Sequence, residues 1–356
     1  MGIFNDMLKS NESLFKNEMA LDFSYQPKVI PFREAEQRMV AFCIKPMLEG
    51  RTGKNVFIYG QPGVGKTTAL KHVLEDLENE TDDVITVYIN CWQKNSSYKI
   101  IADICEQLGF KFILNKKTED LFRWIKQVVN KKSVVFVFDE ADKLEDTDFL
   151  YMILEEIYRK TVILITNYKD WLIDLEDRTK SRLMPEVIEF KPYNENETKE
   201  ILKQRLSYAF HAGVVPNEVL DLISKKAFEL QDIRTGLHMF KEAGLIAESK
   251  SSRKILLEHA QSALQKIDEF SIKNQSDLPT DDRMILDAIK KNSGKKIGEL
   301  FKLYQDSGGK LVYKSFQRKI DRLDKNRFIT VEKTAGGPDG NTTIVRHSSE
   351  KKLSDF

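Results

Sequence analysis

Val56-Phe57-Ile58-Tyr59-Gly60-Gln61-Pro62-Gly63-Val64-Gly65-Lys66-Thr67-Thr68 decides how this chain is read. Its first four residues are an apolar run suited to a buried strand, and Thr68–Leu74 carries a helical pattern. Between them lies a complete G-x-x-x-x-G-K-T loop. A strand that turns sharply into a helix gathers free backbone N–H groups at one point, with the positive end of the helix dipole behind them. The glycines let the backbone approach an anion without an intervening Cβ. In such a loop Lys66 reaches the β- and γ-phosphates and the Thr67 hydroxyl holds Mg2+. The candidate contacts to ATP or ADP are Gly60, Pro62, Gly63, Val64, Gly65, Lys66, Thr67 and Thr68.

Further along, the apolar run Val134–Phe138 ends in Asp139-Glu140. Beside a phosphate loop, such a pair completes the Mg2+ shell and orients the attacking water. Asp139 is assigned to the metal, through water, and Glu140 to water activation. The run Thr161–Thr166 ends in Asn167. Ligands of open parallel sheets lie at the carboxyl ends of strands. Asn167 therefore reads either as a holder of the γ-phosphate or its water, or as a plain turn residue. Arg178, Arg182 and Arg234 offer guanidinium groups that fit a γ-phosphate; each also fits a surface or inter-helix ion pair. Asp232 is placed to cap the helix that carries Arg234.

The 356 residues are enough for two or three domains. No apolar run reaches membrane-spanning length and the N-terminus lacks a signal-peptide core, so a cytoplasmic protein with no membrane partner is expected. Cys43, Cys91 and Cys105 are scattered, which argues against a disulfide framework or a zinc site and for small core filler. Trp92, Trp124 and Trp171 sit among apolar neighbours and read as core or interface. The five histidines show no ligand spacing.

The short β-branched runs Val56–Tyr59, Val84–Ile89, Val134–Phe138, Val162–Thr166 and Val187–Phe190 alternate with helical stretches. This α/β pattern means a parallel sheet covered on both faces. Strand signals then cease, and Asn196–His211, Asn217–Leu230, Ile233–Glu248 and Arg253–Asp268 read as four helices. The expected division is a lead-in at 1–35, a nucleotide-binding core at 36–193, a helical lid at 194–270, a polar linker at 271–279 and a C-terminal unit at 280–350.

The C-terminal part is basic: residues 279–356 hold 17 Lys and Arg against 11 Asp and Glu, although the whole chain is only +1. Asp282–Lys290, Ile297–Asp306 and Tyr313–Asn326 read as helices. On the third, Lys314, Arg318, Arg322 and Lys325 fall within an arc of about 80°. Val312, Phe316, Ile320 and Leu323 fall opposite. A helix with an apolar face inward and four cations outward suits the major groove of DNA. Ser315 and Gln317 flank the basic arc. A hairpin follows, with Lys333 and Arg346 placed to contact phosphate or the minor groove.

Taken together, Gly60–Thr67, Asp139-Glu140, Asn167, Ser181-Arg182-Leu183 and Asp232-Ile233-Arg234 resemble the AAA+ class of ATPases. The lead-in, Leu14-Phe15-Lys16-Asn17-Glu18 with Leu21-Asp22 and Ile30-Pro31-Phe32-Arg33-Glu34, is more specific. With Ser181–Glu186 and Phe190–Tyr193, it is similar to archaeal origin-recognition and replication-licensing initiators, over nearly the whole chain. The resemblance implies an AAA+ core, an all-helical lid and a winged-helix DNA-binding domain. It places Pro31–Glu34 near the adenine, with Pro31 and Arg33 as the contacts, makes Asn167 the first sensor and Arg234 the second, and makes Arg182, ahead of Arg178, the arginine finger offered to a neighbouring subunit. The chain departs from the family at Gln231, where glycine is usual. It also departs near Leu108–Asp120, where a DNA-gripping helical insertion with an Arg-rich turn is reduced to Lys111, Lys116 and Lys117.

The function implied is an ATP-dependent initiator that binds double-stranded origin DNA and recruits the minichromosome-maintenance replicative helicase, alongside other initiator subunits on DNA. Hydrolysis would be slow, since a lone subunit lacks the arginine supplied in trans. The alternatives are a nucleotide-liganded DNA-binding regulator with little turnover, and a mobile-element or clamp-loader-like ATPase.

Overall fold

The computed structural model describes residues 13–110, 112–276, 280–325, 328–337 and 340–347. The chain divides into two compact units, Met1–Ala263 and Leu264–Phe356.

The first unit is built on a five-stranded parallel sheet of β1 (Val56–Gly60), β2 (Val84–Asn90), β3 (Ser133–Asp139), β4 (Lys160–Thr166) and β5 (Glu186–Phe190), in the order β2-β3-β4-β1-β5. The central strands are apolar throughout because both faces are covered. Their two-residue period still sorts the side chains. Val134, Phe136 and Phe138 of β3 join Phe57, Val162 and Leu164 in the core under α3 (Ser97–Gln107), α4 (Thr118–Val129) and α5 (Asp148–Glu156). Val135 and Val137 join Val56, Ile58, Ile163 and Ile165 in the core under α1 (Glu34–Ile44) and α2 (Lys66–Glu80). Two short helices, α6 (Trp171–Asp174) and α7 (Asp177–Leu183), lead into β5.

The lid follows as α8 (Glu195–Ala209), α9 (Asn217–Glu229) and α10 (Ile233–Ser249), with α8 packed on α9 and α9 on α10. Asn194 begins α8 with a capping box, exchanging hydrogen bonds with Glu197. The fourth helix, α11, runs from Leu257 to Ser276 rather than from Arg253 to Asp268. Residues 271–276, read as linker, are helical: Ser-Ile-Lys-Asn-Gln-Ser contains no glycine or proline to stop the helix.

Residues 13–33 act as a strap with two anchorages. Glu248 accepts from Ser13 Oγ (2.6 Å) and Leu14 N (2.8 Å), Phe15 bridges to Phe210, and Arg205 of α8 donates to the Asp22 and Tyr25 carbonyls. Gln26 then donates to the Thr68 carbonyl (2.8 Å) and Arg33 to the Val64 carbonyl (3.1 Å), which fixes the far end on the core.

Between α3 and α4 the described residues form loop and turn. No helical insertion stands at 108–117 among them, and Lys111 lies outside the described residues. Cys43, Cys91 and Cys105 are buried and free, as core filler should be. Trp124 packs on Phe110 and Trp171 on Phe57. Trp92 is exposed just past the end of β2, which leaves it outside the core, with the Lys143 ammonium 5.2 Å from its ring centroid.

The second unit contains α12 (Thr280–Lys291), α13 (Ile297–Asp306) and α14 (Tyr313–Lys325), then a hairpin of β7 (Ile329–Gly337) and β8 (Gly340–His347). This helix, helix, helix, hairpin order is that of a winged helix. A two-residue strand, β6 (Lys295–Lys296), pairs antiparallel with β8. Ile285, Leu300, Tyr304, Phe316, Ile320, Leu323 and Val345 form its core. Val312 was expected on the apolar face of the third helix, but it precedes α14 and is exposed. No helix among the described residues is long and apolar enough to cross a membrane.

Candidate nucleotide site

β1 ends at Gly60, and α2 starts at Lys66 with Gly65 as its cap in the left-handed region (φ +89°). Gly63 is also left-handed (φ +84°). The loop opens into a cavity of about 490 Å3, a size typical of small-ligand sites. Pro62, Gly63, Gly65, Lys66, Thr67 and Thr68 line it together with Pro31 from the strap. Gly60 and Val64 do not. Val64 is buried in the core, and the Gly60 carbonyl faces Lys66.

Lys66 is itself buried and donates to Gly60 O (2.7 Å), Gln61 O (2.9 Å) and Asn167 Oδ1 (3.0 Å). Burial lowers its ammonium to about 8, against the pull of Asp139 and Asp142. The same lysine thus bridges the phosphate loop and the candidate sensor at the end of β4.

The acidic pair is built by the register of the sheet. Asp139 sits opposite Asn90 at the end of β3. Its Oδ2 accepts from Thr67 Oγ1 and from the Tyr88 hydroxyl, both at 2.6 Å, and its Oδ1 accepts from Glu140 N at 2.9 Å. Burial, then the neighbouring carboxylate, push the Tyr88 phenol up, so it is a donor at any ordinary pH. Glu140 is a non-glycine residue at φ +55°. Strained backbone of this kind concentrates at functional sites. Burial, Asp139 and Asp142 raise the Glu140 carboxyl. Asp142 Oδ1 accepts from Asn167 N at 3.4 Å, and Lys143 pairs with Asp142 at 2.9 Å.

No cluster of three or more His, Cys, Asp or Glu among the described residues would hold a metal alone. A hydroxyl and a carboxylate 2.6 Å apart at the mouth of a phosphate loop nevertheless fit Mg2+, which takes one or two protein oxygens and completes its shell with phosphate and water.

Arg234 reaches the same cavity from the lid. Asp232 caps α10 by accepting Arg234 N (2.9 Å) and grips the guanidinium through Nε (3.0 Å) and Nη2 (2.9 Å). That hydrogen bond raises the Arg234 pKa, against burial. Gln231, where the resemblance led to glycine being expected, takes φ +50° in the left-handed region.

Arg33 is placed differently from expectation. It is buried beneath the loop, donating to Val64 O (3.1 Å), Tyr193 Oη (3.0 Å) and Lys191 O (2.6 Å), paired with Glu36 and stacked on Tyr193 at 4.0 Å. With all three of its nitrogens engaged, it braces the loop and does not line the cavity. Arg182 and Arg178 lie outside the cavity on α7. Arg182 pairs with Glu155 and Arg178 with Glu176, and both cover the Tyr151 ring. The sequence reading missed Tyr88, Asp142, Tyr193 and Arg205. Their contacts are long-range and carry no local spacing signal.

In the second unit Lys314 and Arg318 are exposed on α14, Ser315 and Gln317 are half-buried beside them, and Arg346 is exposed on β8. The side chains of Arg322, Lys325 and Lys333 lie outside what the structure describes.

A phosphate loop after β1, an acidic pair at the end of β3, a polar residue at the end of β4 between them and an arginine from a helical lid define a P-loop ATPase of the AAA+ class. Residues 49–170 match the AAA domain model, and residues 199–265 match the Cdc6 AAA+ ATPase-type lid domain. The ORC1-type DNA replication protein 1 of Sulfurisphaera tokodaii is 31% identical, over 96% of this chain and 94% of the relative. The chain belongs to the family of archaeal ORC1-type DNA replication proteins. The solved structure of the Aeropyrum pernix ORC1 protein in complex with DNA matches with a TM-score of 0.70 at 26% identity, covering 96% of this chain and 95% of that one. The Aeropyrum pernix ORC2 protein, solved as ADPNP–ADP complexes, shares the fold with a TM-score of 0.71 at 19% identity, over 94% of each chain.

Proposed function

We propose that this chain is an ATP-switched replication initiator that binds double-stranded origin DNA through its second unit and recruits the minichromosome-maintenance helicase. The observation that carries the reading is the meeting of Lys66, Asp139, Glu140 and Asn167 from the core with Arg234 from the lid around one cavity. A γ-phosphate placed there would compete with Asp232 for Arg234, which gives nucleotide state a direct hold on the lid.

In this reading Lys66 neutralises the phosphates, and Thr67 with Asp139 holds Mg2+. The cation would supply charge neutralisation to the phosphates. Glu140 orients the hydrolytic water and Asn167 registers the γ-phosphate. Pro31 and the strap enclose the base. Arg182, outside its own cavity, is the group offered to a second subunit, so turnover by one copy is slow. Lys314 and Arg318 grip DNA, with Ser315, Gln317, Arg322 and Lys325 on the same helix and Lys333 and Arg346 on the hairpin. The protein would work in the cytoplasm on the nucleoid. Support for DNA comes from the basic α14 and from the relative solved with DNA.

Genome-wide footprinting tests this. The intact chain should protect a few discrete sites, and Lys314→Ala/Arg318→Ala should lose or weaken them. Uniform coverage by both proteins would refute origin readout by this unit.

A further inference from the structure

Tyr88 belongs to no motif, yet its hydroxyl is bound to the carboxylate assigned to the metal. β2 pairs with β3 in parallel so that Tyr88 faces Val137. Asp139, two residues on, lies on the same face of the sheet, within diagonal reach of a long side chain. The tyrosine is firmly held. Gln107 donates to Tyr88 O at 2.9 Å, and Lys71 Nζ lies 4.8 Å from the ring centroid.

An ionised carboxylate offers about four lone-pair positions. Here Oδ2 spends two, on Thr67 and Tyr88, and Oδ1 spends one, on Glu140 N. One position on Oδ1 is left. Thr67 would ligate the cation, and Glu140 follows directly in a strained turn. Of these three donors to Asp139, Tyr88 is the one carried on a strand outside the nucleotide loops.

We propose that Tyr88 is the positioning residue of the metal carboxylate, locking Asp139 so that its single remaining acceptor faces the water shell of a divalent cation. This rests on the nucleotide reading above. Removing the hydroxyl frees the carboxylate to rotate, and loss of an outer-shell partner of this kind typically weakens metal binding by about 10–100-fold.

The test is Tyr88→Phe, which keeps the ring. Mn2+ is titrated into the protein saturated with ADP and followed by electron paramagnetic resonance, while ADP affinity is measured separately in EDTA. The expected result is Mn2+ affinity lowered about tenfold, with metal-free ADP affinity changed by less than about twofold. In an Asp139→Asn background the same substitution should have no further effect on the metal. Unchanged Mn2+ affinity in Tyr88→Phe overturns the proposal. So does an equal loss of ADP affinity in EDTA, and so does an undiminished effect in the Asp139→Asn background. Wild-type protein that takes up no ADP would overturn the nucleotide reading as well, whereas normal wild-type uptake with an indifferent Tyr88→Phe sinks only the role of Tyr88.

Discussion

Gly63→Ala separates two contributions to the meeting of loop and lid. Gly63 is at φ +84°, where an L-residue costs roughly 1–2 kcal/mol. Its new Cβ would also stand 2.4 Å from Asp232 Oδ1, 2.8 Å from Asp232 Cγ and 3.2 Å from Asp232 Cα. Asp232 cannot yield freely, because it caps α10 and grips Arg234 at 2.9 and 3.0 Å. Giving up the cap alone costs about 1 kcal/mol. The sum is roughly 2–4 kcal/mol, which for a unit of this size lowers the melting midpoint by roughly 5–10 °C. In an Asp232→Ala background the clashes with Oδ1 and Cγ vanish, and only the backbone strain and the milder approach to the main chain at 232 remain. Gly63→Ala should then cost about 1–2 kcal/mol, leaving a coupling of about 1–2 kcal/mol between the positions. The assay is denaturant unfolding of the four proteins of this cycle without nucleotide, with ATP affinity measured alongside. Strict additivity would show that loop and lid do not touch at Asp232 and would refute the argument.

Two further outcomes follow from the site and the lid. Glu140→Gln should keep ATP affinity within about threefold while slowing single-turnover phosphate release by about 100-fold or more; equal rates would make the protein a nucleotide-liganded binder. His259 is buried, and Leu256 N donates to its Nδ1 at 3.1 Å. Burial, then Lys250, lower its pKa below the ordinary 6.5. The unfolded chain therefore takes the proton first, so the stability His259 contributes is complete above about pH 6.5 and is lost as the pH falls. His259→Asn keeps an acceptor without the titration, and its melting midpoint should fall less between about pH 7.5 and about pH 5.5 than that of the wild type.

The strands were legible because the three central ones, β1, β3 and β4, are buried on both faces, so apolar runs such as Val134–Phe138 have no alternative use. The lid helices were legible from their period and caps. β6 was not: two lysines carry no pattern, and pairing with β8 alone defines the strand. The end of α11 was missed because polarity at 271–276 is compatible with an exposed helix as well as a linker. At the site, motif spacing singled out Lys66, Thr67, Asp139 and Glu140, which meet around one cavity. Arg33 was put beside the adenine by the resemblance, and the structure buries it beneath the loop through contacts with Val64, Tyr193 and Lys191 that no local pattern encodes. Spacing did not find Tyr88, whose hydroxyl meets Asp139 only through the pairing of β2 with β3.

Every role assigned to the core and the lid requires adenine nucleotide held at Lys66. Calorimetric titration of ATP with Mg2+ into the intact chain tests it most directly. One site per chain is expected, with Lys66→Ala weakening it by about 10–100-fold as a charged hydrogen-bond donor is removed. No heat of binding in the wild type, or equal affinity in the two proteins, would contradict it.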